Sequence, residues 1–123
     1  MSRYQIQASA VINAPAKRVY DIIADYRNEH PNILPKKFFS NLEIEKGGVG
    51  AGTIIRFQMT VMGKTQAFRA SITEPEPGRV LVETDAENDT TTTFTVTPTS
   101  DNERAEVTIS SDLKSQKGLL GRL

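Results

Sequence analysis

Apolar and polar residues alternate along most of this chain, and that alternation is interrupted by a helical period only once. From Tyr4 to Ile12, Ile6, Ala8, Ala10 and Ile12 share one face while Gln5, Gln7 and Ser9 share the other. That period of two predicts a strand with one wet side. Asn13-Ala14-Pro15 interrupts it, and proline suits a first helical turn because the donor it lacks would be unpaired there. Val19, Ile22, Ile23 and Tyr26 then fall at i, i+3, i+4 and i+7, opposite Lys17, Arg18, Asp21 and Asp25. This is the pattern of an amphipathic helix. Between Arg27 and Ser40, Pro31 and Pro35 limit any further helix to a turn or two, although Ile33, Leu34, Phe38 and Phe39 keep the segment apolar.

Strand periodicity then returns and persists. Leu42 and Ile44 alternate with Glu43 and Glu45, and the glycine-rich run Gly47 to Gly52 reads as a flexible connection. Ile55, Phe57, Met59 and Val61 alternate with Arg56, Gln58 and Thr60, and Met62-Gly63-Lys64 turns the chain into Phe68, Ala70 and Ile72. Pro75-Glu76-Pro77-Gly78 precedes a strand from Val80 to Thr84, and Glu87-Asn88-Asp89 separates it from the threonine-rich strand Thr90 to Thr97. After Ser100-Asp101-Asn102, Val107, Ile109, Ser111 and Leu113 alternate with polar neighbours. One strand, two short helices and about six hairpin-linked strands predict an α+β domain, a mostly antiparallel sheet with one apolar face. The first helix is too short to cover that face, and Ser115 to Leu123 supplies barely two helical turns.

At 123 residues, the whole of 1–123 is expected to form a single domain. Lysine plus arginine balances aspartate plus glutamate at 15 each, so no basic excess recommends nucleic acid as a partner. The absence of cysteine removes disulfides, thiolate nucleophiles and cysteine-held metal centres, and suits a reducing compartment. The first residues lack the form of a signal peptide and no apolar run is long enough for an integral membrane segment, so a cytoplasmic location is expected. Asn88-Asp89-Thr90 fits a glycosylation sequon but reads better as a polar turn.

Few residues advertise chemistry. The glycines at 47–52 lead into a strand, not into the helix N-terminus that a dinucleotide fingerprint requires, and Gly63-Lys64-Thr65 has Gln58 where a phosphate loop needs its upstream glycine. His30 is the only histidine, so no histidine metal cluster can form, and neither metal nor cofactor is expected. A surface or helix-capping role is the first reading of His30, and a polar group at a pocket entrance the second. No nucleophile elbow is present. Asp21, Asp25, Glu29, Glu43, Glu45, Glu74, Glu76 and Glu83 fall mostly on wet faces or turns, and the alternation directs Arg56 and Arg69 outward.

Ile12-Asn13-Ala14-Pro15-Ala16 leading into Val19-Tyr20-Asp21-Ile22-Ile23-Ala24-Asp25-Tyr26 resembles the START-like (SRPBCC) superfamily, in particular its polyketide cyclase/dehydrase group. Gly50-Ala51-Gly52-Thr53, the turn Glu74 to Arg79 and Thr91 to Pro98 resemble that group's later segments in the same order. The resemblance spans the chain. It implies a helix-grip fold, in which a curved sheet of about seven strands holds a long C-terminal helix over a cavity for lipids, polyketides or other apolar ligands. Ser115 to Leu123 would be only the start of that helix. Either the helix is truncated, which is the preferred reading, or the uncovered apolar face invites self-association or another chain.

The apolar face therefore carries the functional expectation. Ile33, Phe57, Met59, Val61, Phe68 and Phe94 are the candidate ligand-binding residues, because aromatic and methionine side chains accommodate apolar ligands, and His30 is the candidate polar pocket residue. The leading function is binding or transport of a hydrophobic small molecule. The resemblance leaves two alternatives, a cyclase/dehydrase-type enzyme and a co-chaperone-like interaction module, and the residues leave catalysis undecided.

Overall fold

The computed structural model describes residues 3–114. Its element order is β1 (Arg3–Ile12), α1 (Ala16–Ala24), α2 (His30–Ile33), β2 (Phe39–Lys46), β3 (Ile54–Val61), β4 (Lys64–Glu76), β5 (Val80–Asp85), β6 (Thr90–Pro98) and β7 (Ala105–Lys114). The expected C-terminal helix over Ser115 to Leu123 lies outside the described residues.

The strands form one antiparallel sheet in the order β1-β7-β6-β5-β4-β3-β2. Hairpin connections place each strand from β3 to β7 beside its predecessor, as the sequence pattern predicts. The first two strands, however, end at opposite edges. The segment joining them, α1 and α2, must cross the sheet, and α1 packs against β6 and β7 as it does so. The buried core lies under this crossing: Val19, Tyr20, Ile23 and Ala24 of α1 meet Ile55, Ala70, Ile72, Leu81, Phe94 and Val96 of the sheet. A seven-stranded curved antiparallel sheet with two short helices among the described residues is the helix-grip architecture.

Local differences from the expected pattern have physical causes. The amphipathic stripe extends to Tyr26, yet α1 ends at Ala24. There the chain pairs with the glycine-rich loop instead: Gly50 N donates to Ala24 O at 2.9 Å, Tyr26 N to Gly48 O at 2.8 Å, and Asp25 bridges Val49. The loop is thus a bonded clamp on the helix end, not a flexible hairpin. Gly50 is required at its place, with φ of 65° and a missing Cβ that would run into the Glu74 carboxylate. Glu74 in turn accepts from Ala51 N at 2.7 Å and from Tyr20 Oη at 2.6 Å, joining loop, sheet and helix through one side chain.

On β1 the expected apolar face is open among the described residues, with Ile6 and Ile12 exposed. The strand is an edge, and α1 crosses over β6 and β7 beside it.

Candidate functional site

Strand register sorts the concave face into cross-strand rows. Leu81 of β5, Phe94 of β6, Ile109 of β7 and Ala8 of β1 stand side by side, an apolar row. The next row is different: Ile72 of β4, Glu83, Thr92, Ser111 and then Ile6. Three polar side chains therefore cross the middle of a face that is otherwise oily. Thr92 and Ser111 satisfy each other, hydroxyl to hydroxyl at 2.8 Å. Glu83 has no such neighbour on the sheet, and its partner comes from the crossing segment.

Tyr26, released from α1 by the glycine-rich clamp, donates its hydroxyl to Glu83 Oε2 at 2.5 Å. His30 lies beneath it, its ring stacked on Tyr26 with centroids 4.2 Å apart and edge-on to Phe94 at 5.8 Å. The histidine Nδ1 is 2.7 Å from Ile23 O. A carbonyl only accepts, so Nδ1 carries the proton and donates. The other nitrogen, Nε2, faces Glu83 Oε2 at 3.7 Å.

Burial sets the protonation of this group. It lowers the His30 pKa below its ordinary value, against the smaller opposing pull of the Ile23 carbonyl, so the ring is neutral near pH 7. Burial also pushes Glu83 up from 4.5 to about 7, the Tyr26 hydrogen bond acting weakly in the other direction. Tyr26 is raised as well, first by burial and then by the nearby carboxylate. The 3.7 Å approach is accordingly not an ion pair in neutral solution. A neutral imidazole turns its lone pair toward a carboxyl that is itself close to half protonated.

His30 and Glu83 line a cavity of about 280 Å³ between the crossing segment and the sheet. Ile33, Leu34, Pro35, Phe39, Ile55, Phe57 and Phe94 form its apolar walls, and His30, Glu83, Thr92 and Ser111 its polar patch. An adjoining groove of about 400 Å³ runs between α1, β1 and β7, with Ser9 the one polar residue among its lining. Ile33, Phe94 and Ile109 are common to both spaces. The arrangement can bury an apolar body and offer one end of it a neutral carboxyl, an imidazole lone pair and two hydroxyls.

The candidate residues distribute unevenly over this geometry. Ile33, Phe57, Phe94 and His30 converge on the cavity. Phe68 stacks on Phe57 at 5.3 Å and backs the wall without lining it. Met59 and Val61 share Phe57's face of β3 but lie beyond the cavity toward the hairpin tip. The surface reading of His30 is overturned, since only 2 % of it is exposed. The wet-face reading of Glu83 is overturned too, its side chain being 14 % exposed. Arg56 and Arg69 do point outward, onto Glu45 at 3.3 and 3.0 Å. Sequence reasoning did not place the polar lining residues Glu83, Thr92 and Ser111 in the pocket, nor Tyr26 as the buried partner of Glu83. Glu83 sits in Val80-Leu81-Val82-Glu83, apolar on both faces, where alternation alone assigns no wet side. Among the described residues no group of three His, Asp or Glu side chains is arranged to hold a metal. No helix among them is long and apolar enough to cross a membrane.

The sequence profile of the family described as polyketide cyclase/dehydrase and lipid transport matches residues 3–123. No curated protein matches the chain. Among solved structures, the KanY protein is similar at 23 % identity with a TM-score of 0.82, the match covering 96 % of this chain and 79 % of that one. The Zhui aromatase/cyclase from Streptomyces sp. R1128 is similar at 18 % identity and a TM-score of 0.73, over 95 % of this chain and 71 % of its own. A START superfamily protein from Mycobacterium smegmatis gives 12 % identity and 0.72, over 96 % and 81 %. At such identities the likeness establishes the fold, while the site must be argued from its own residues.

The Glu83 shift makes a prediction with a definite sign. A carboxyl whose folded pKa is raised favours the folded state below its unfolded pKa, and that contribution is lost as pH rises through the folded value. Between an ordinary 4.5 and about 7, the wild type should lose stability relative to Glu83→Gln as pH rises, by on the order of 3 kcal/mol. Urea denaturation of both proteins across that range checks it, and using the difference cancels the opposite contribution of His30. A stability difference that stays flat with pH would place Glu83 in water.

Proposed function

The chain belongs to the polyketide cyclase/dehydrase and lipid transport family, and from that premise we propose that it binds a hydrophobic small molecule carrying one hydrogen-bonding group. The observation that supports this most is the isolated polar patch in the apolar cavity. Ile33, Phe57 and Phe94 supply walls, Phe68 fixes the Phe57 ring, and the ligand's polar end meets Glu83 and His30. Met59 and Val61 take no part in holding it.

Apolar burial supplies most of the affinity, at roughly 25 cal/mol per Å² before association costs. The polar patch supplies orientation and selectivity, because a ligand lacking the matching group leaves buried donors and acceptors unpaired. A cavity of about 280 Å³ lies at the low end of small-molecule sites, roughly 300–1,000 Å³. It suits a bicyclic ring, and the adjoining groove would take an extension of it.

The fluorescent phenol 2-naphthol is a direct probe. It should bind more tightly than naphthalene, by about five- to tenfold for one good hydrogen bond. Phe57→Asp, which puts a charge in the wall, should weaken both by at least about tenfold. Met59→Ser should leave both unchanged. Equal binding of the two probes, or retention of both in Phe57→Asp, contradicts the proposal.

The facing of His30 Nε2 and Glu83 favours a second reading, in which the same site catalyses proton transfer of the cyclase/dehydrase kind. A neutral imidazole can take a proton from the carbon beside a carbonyl while the neutral carboxyl gives its own to the carbonyl oxygen, forming an enol. The reverse transfers restore both groups. With 2-tetralone in deuterated water, this reading expects exchange at the carbon beside the carbonyl to run above the buffer rate and to fall about a hundredfold or more in His30→Ala. Exchange no faster than buffer leaves binding as the function.

A further inference from the structure

The loop between α2 and β2 and the tip of the β3–β4 hairpin lie side by side at one end of the sheet. Thr60 N donates to Phe38 O at 2.8 Å, Phe39 stands opposite Met59, and Val61 pairs with Lys64 across the tip. Together they put large apolar side chains into water: Phe38 is 43 % exposed and Met62 is 78 % exposed. Met62 is a costly choice for its position. It takes φ of 52° at the turn, beside Gly63 at 79°, a left-handed backbone that asparagine or glycine accepts far more readily.

The charged side chains of these two segments all have one sign. Lys36, Lys37 and Lys64 are exposed, and none forms an ion pair among the described residues. Lys37 instead holds its ammonium 5.6 Å from the Phe38 ring. Although the chain has 15 acidic residues, none falls within 30–42 or 57–68. The nearest acids flank the patch: Glu43 further along β2, and Glu87 in the β5–β6 turn, next to Asn88, which bonds Ala67 O. With zero net charge the molecule has no general attraction for anions, so the attraction of these lysines is a local one.

Exposed apolar tips among unpaired lysines, with no acid between them, match the boundary of an anionic bilayer. Apolar side chains enter the acyl edge there while ammonium groups stay at the phosphates. A second copy of this chain fits less well, since a two-fold contact would set lysines against lysines. Leu34, Phe39, Leu42 and Phe57 line both the ligand cavity and a shallow depression bordered by Lys36. The patch thus borders the cavity's entrance.

We infer that this end, through Phe38, Met62 and the three lysines, docks the protein on anionic lipid surfaces. The assignment rests on the surface and stands apart from what occupies the cavity.

Flotation of the ligand-free protein with phosphatidylcholine vesicles, with and without phosphatidylserine, tests it. Binding should require phosphatidylserine and weaken with salt. Lys37→Gln with Lys64→Gln should weaken it about 25-fold, from roughly fivefold per lysine, and Met62→Ser should weaken it several-fold. Binding of 2-naphthol in solution should be unchanged in both variants, which also reports that they are folded. Vesicle binding indifferent to phosphatidylserine, unaffected by the double substitution or absent altogether overturns the inference. Absence accompanied by Met62-dependent dimers in sedimentation would assign the patch to a second copy. A wild type that binds anionic vesicles but not 2-naphthol would overturn the proposed ligand function alone.

Discussion

A carboxyl group set in the middle of an apolar sheet face is the constraint around which this molecule is arranged. Ionised and alone, Glu83 would cost several kcal/mol in such a place. The structure meets that cost partly by keeping the group near half protonated and partly by bringing Tyr26 to it. Delivering Tyr26 demands that α1 stop at Ala24, which the glycine-rich clamp enforces through the Ala24 carbonyl and the Tyr26 amide. The clamp is held by Glu74, and Glu74 by Tyr20 on the same helix. The crossing segment is thus fixed at its end by backbone bonds and over its length by core packing, and His30 is stacked into place as a consequence.

Much of the fold was legible because a half-buried sheet writes its alternation into the sequence. Six hairpin-linked strands and an amphipathic helix can be read that way, as can the order in which they follow. The site was less legible, for a reason specific to β5. Val80 and Val82 face outward while Leu81 and Glu83 face inward, so this part of the strand is oily on both sides and Glu83 looks like a wet residue. Only register, which aligns Glu83 with Thr92 and Ser111, shows a polar row on the inner face. His30 was hidden differently. Its neighbours are prolines and a loose apolar segment, and nothing local shows that α2 turns back under Tyr26. Met59 and Val61 were grouped with Phe57 because they share its face, but a face extends further than a cavity.

The fold is shared with the KanY protein, the aromatase/cyclase and the START superfamily protein, and since a fold does not fix an activity, what distinguishes this chain lies in the side chains projecting into a common frame. Here those are a half-protonated acid, a neutral base with its tautomer fixed by a backbone carbonyl, and a pair of mutually bonded hydroxyls. The frame supplies burial, and burial shifts both ionisable groups toward their neutral forms. The same cavity would not tune them if the crossing segment were displaced and water reached the sheet, because desolvation is the first cause of both the Glu83 and the His30 shifts.

The central claim is that Glu83 is a buried acid facing a ligand cavity. It is tested most directly by following the Glu83 side-chain carboxyl by carbon-13 NMR through a pH titration, with and without 2-naphthol. The account predicts a midpoint near 7 in the free protein, displaced when the phenol is bound. A midpoint near an ordinary 4.5 that 2-naphthol leaves unmoved would contradict it.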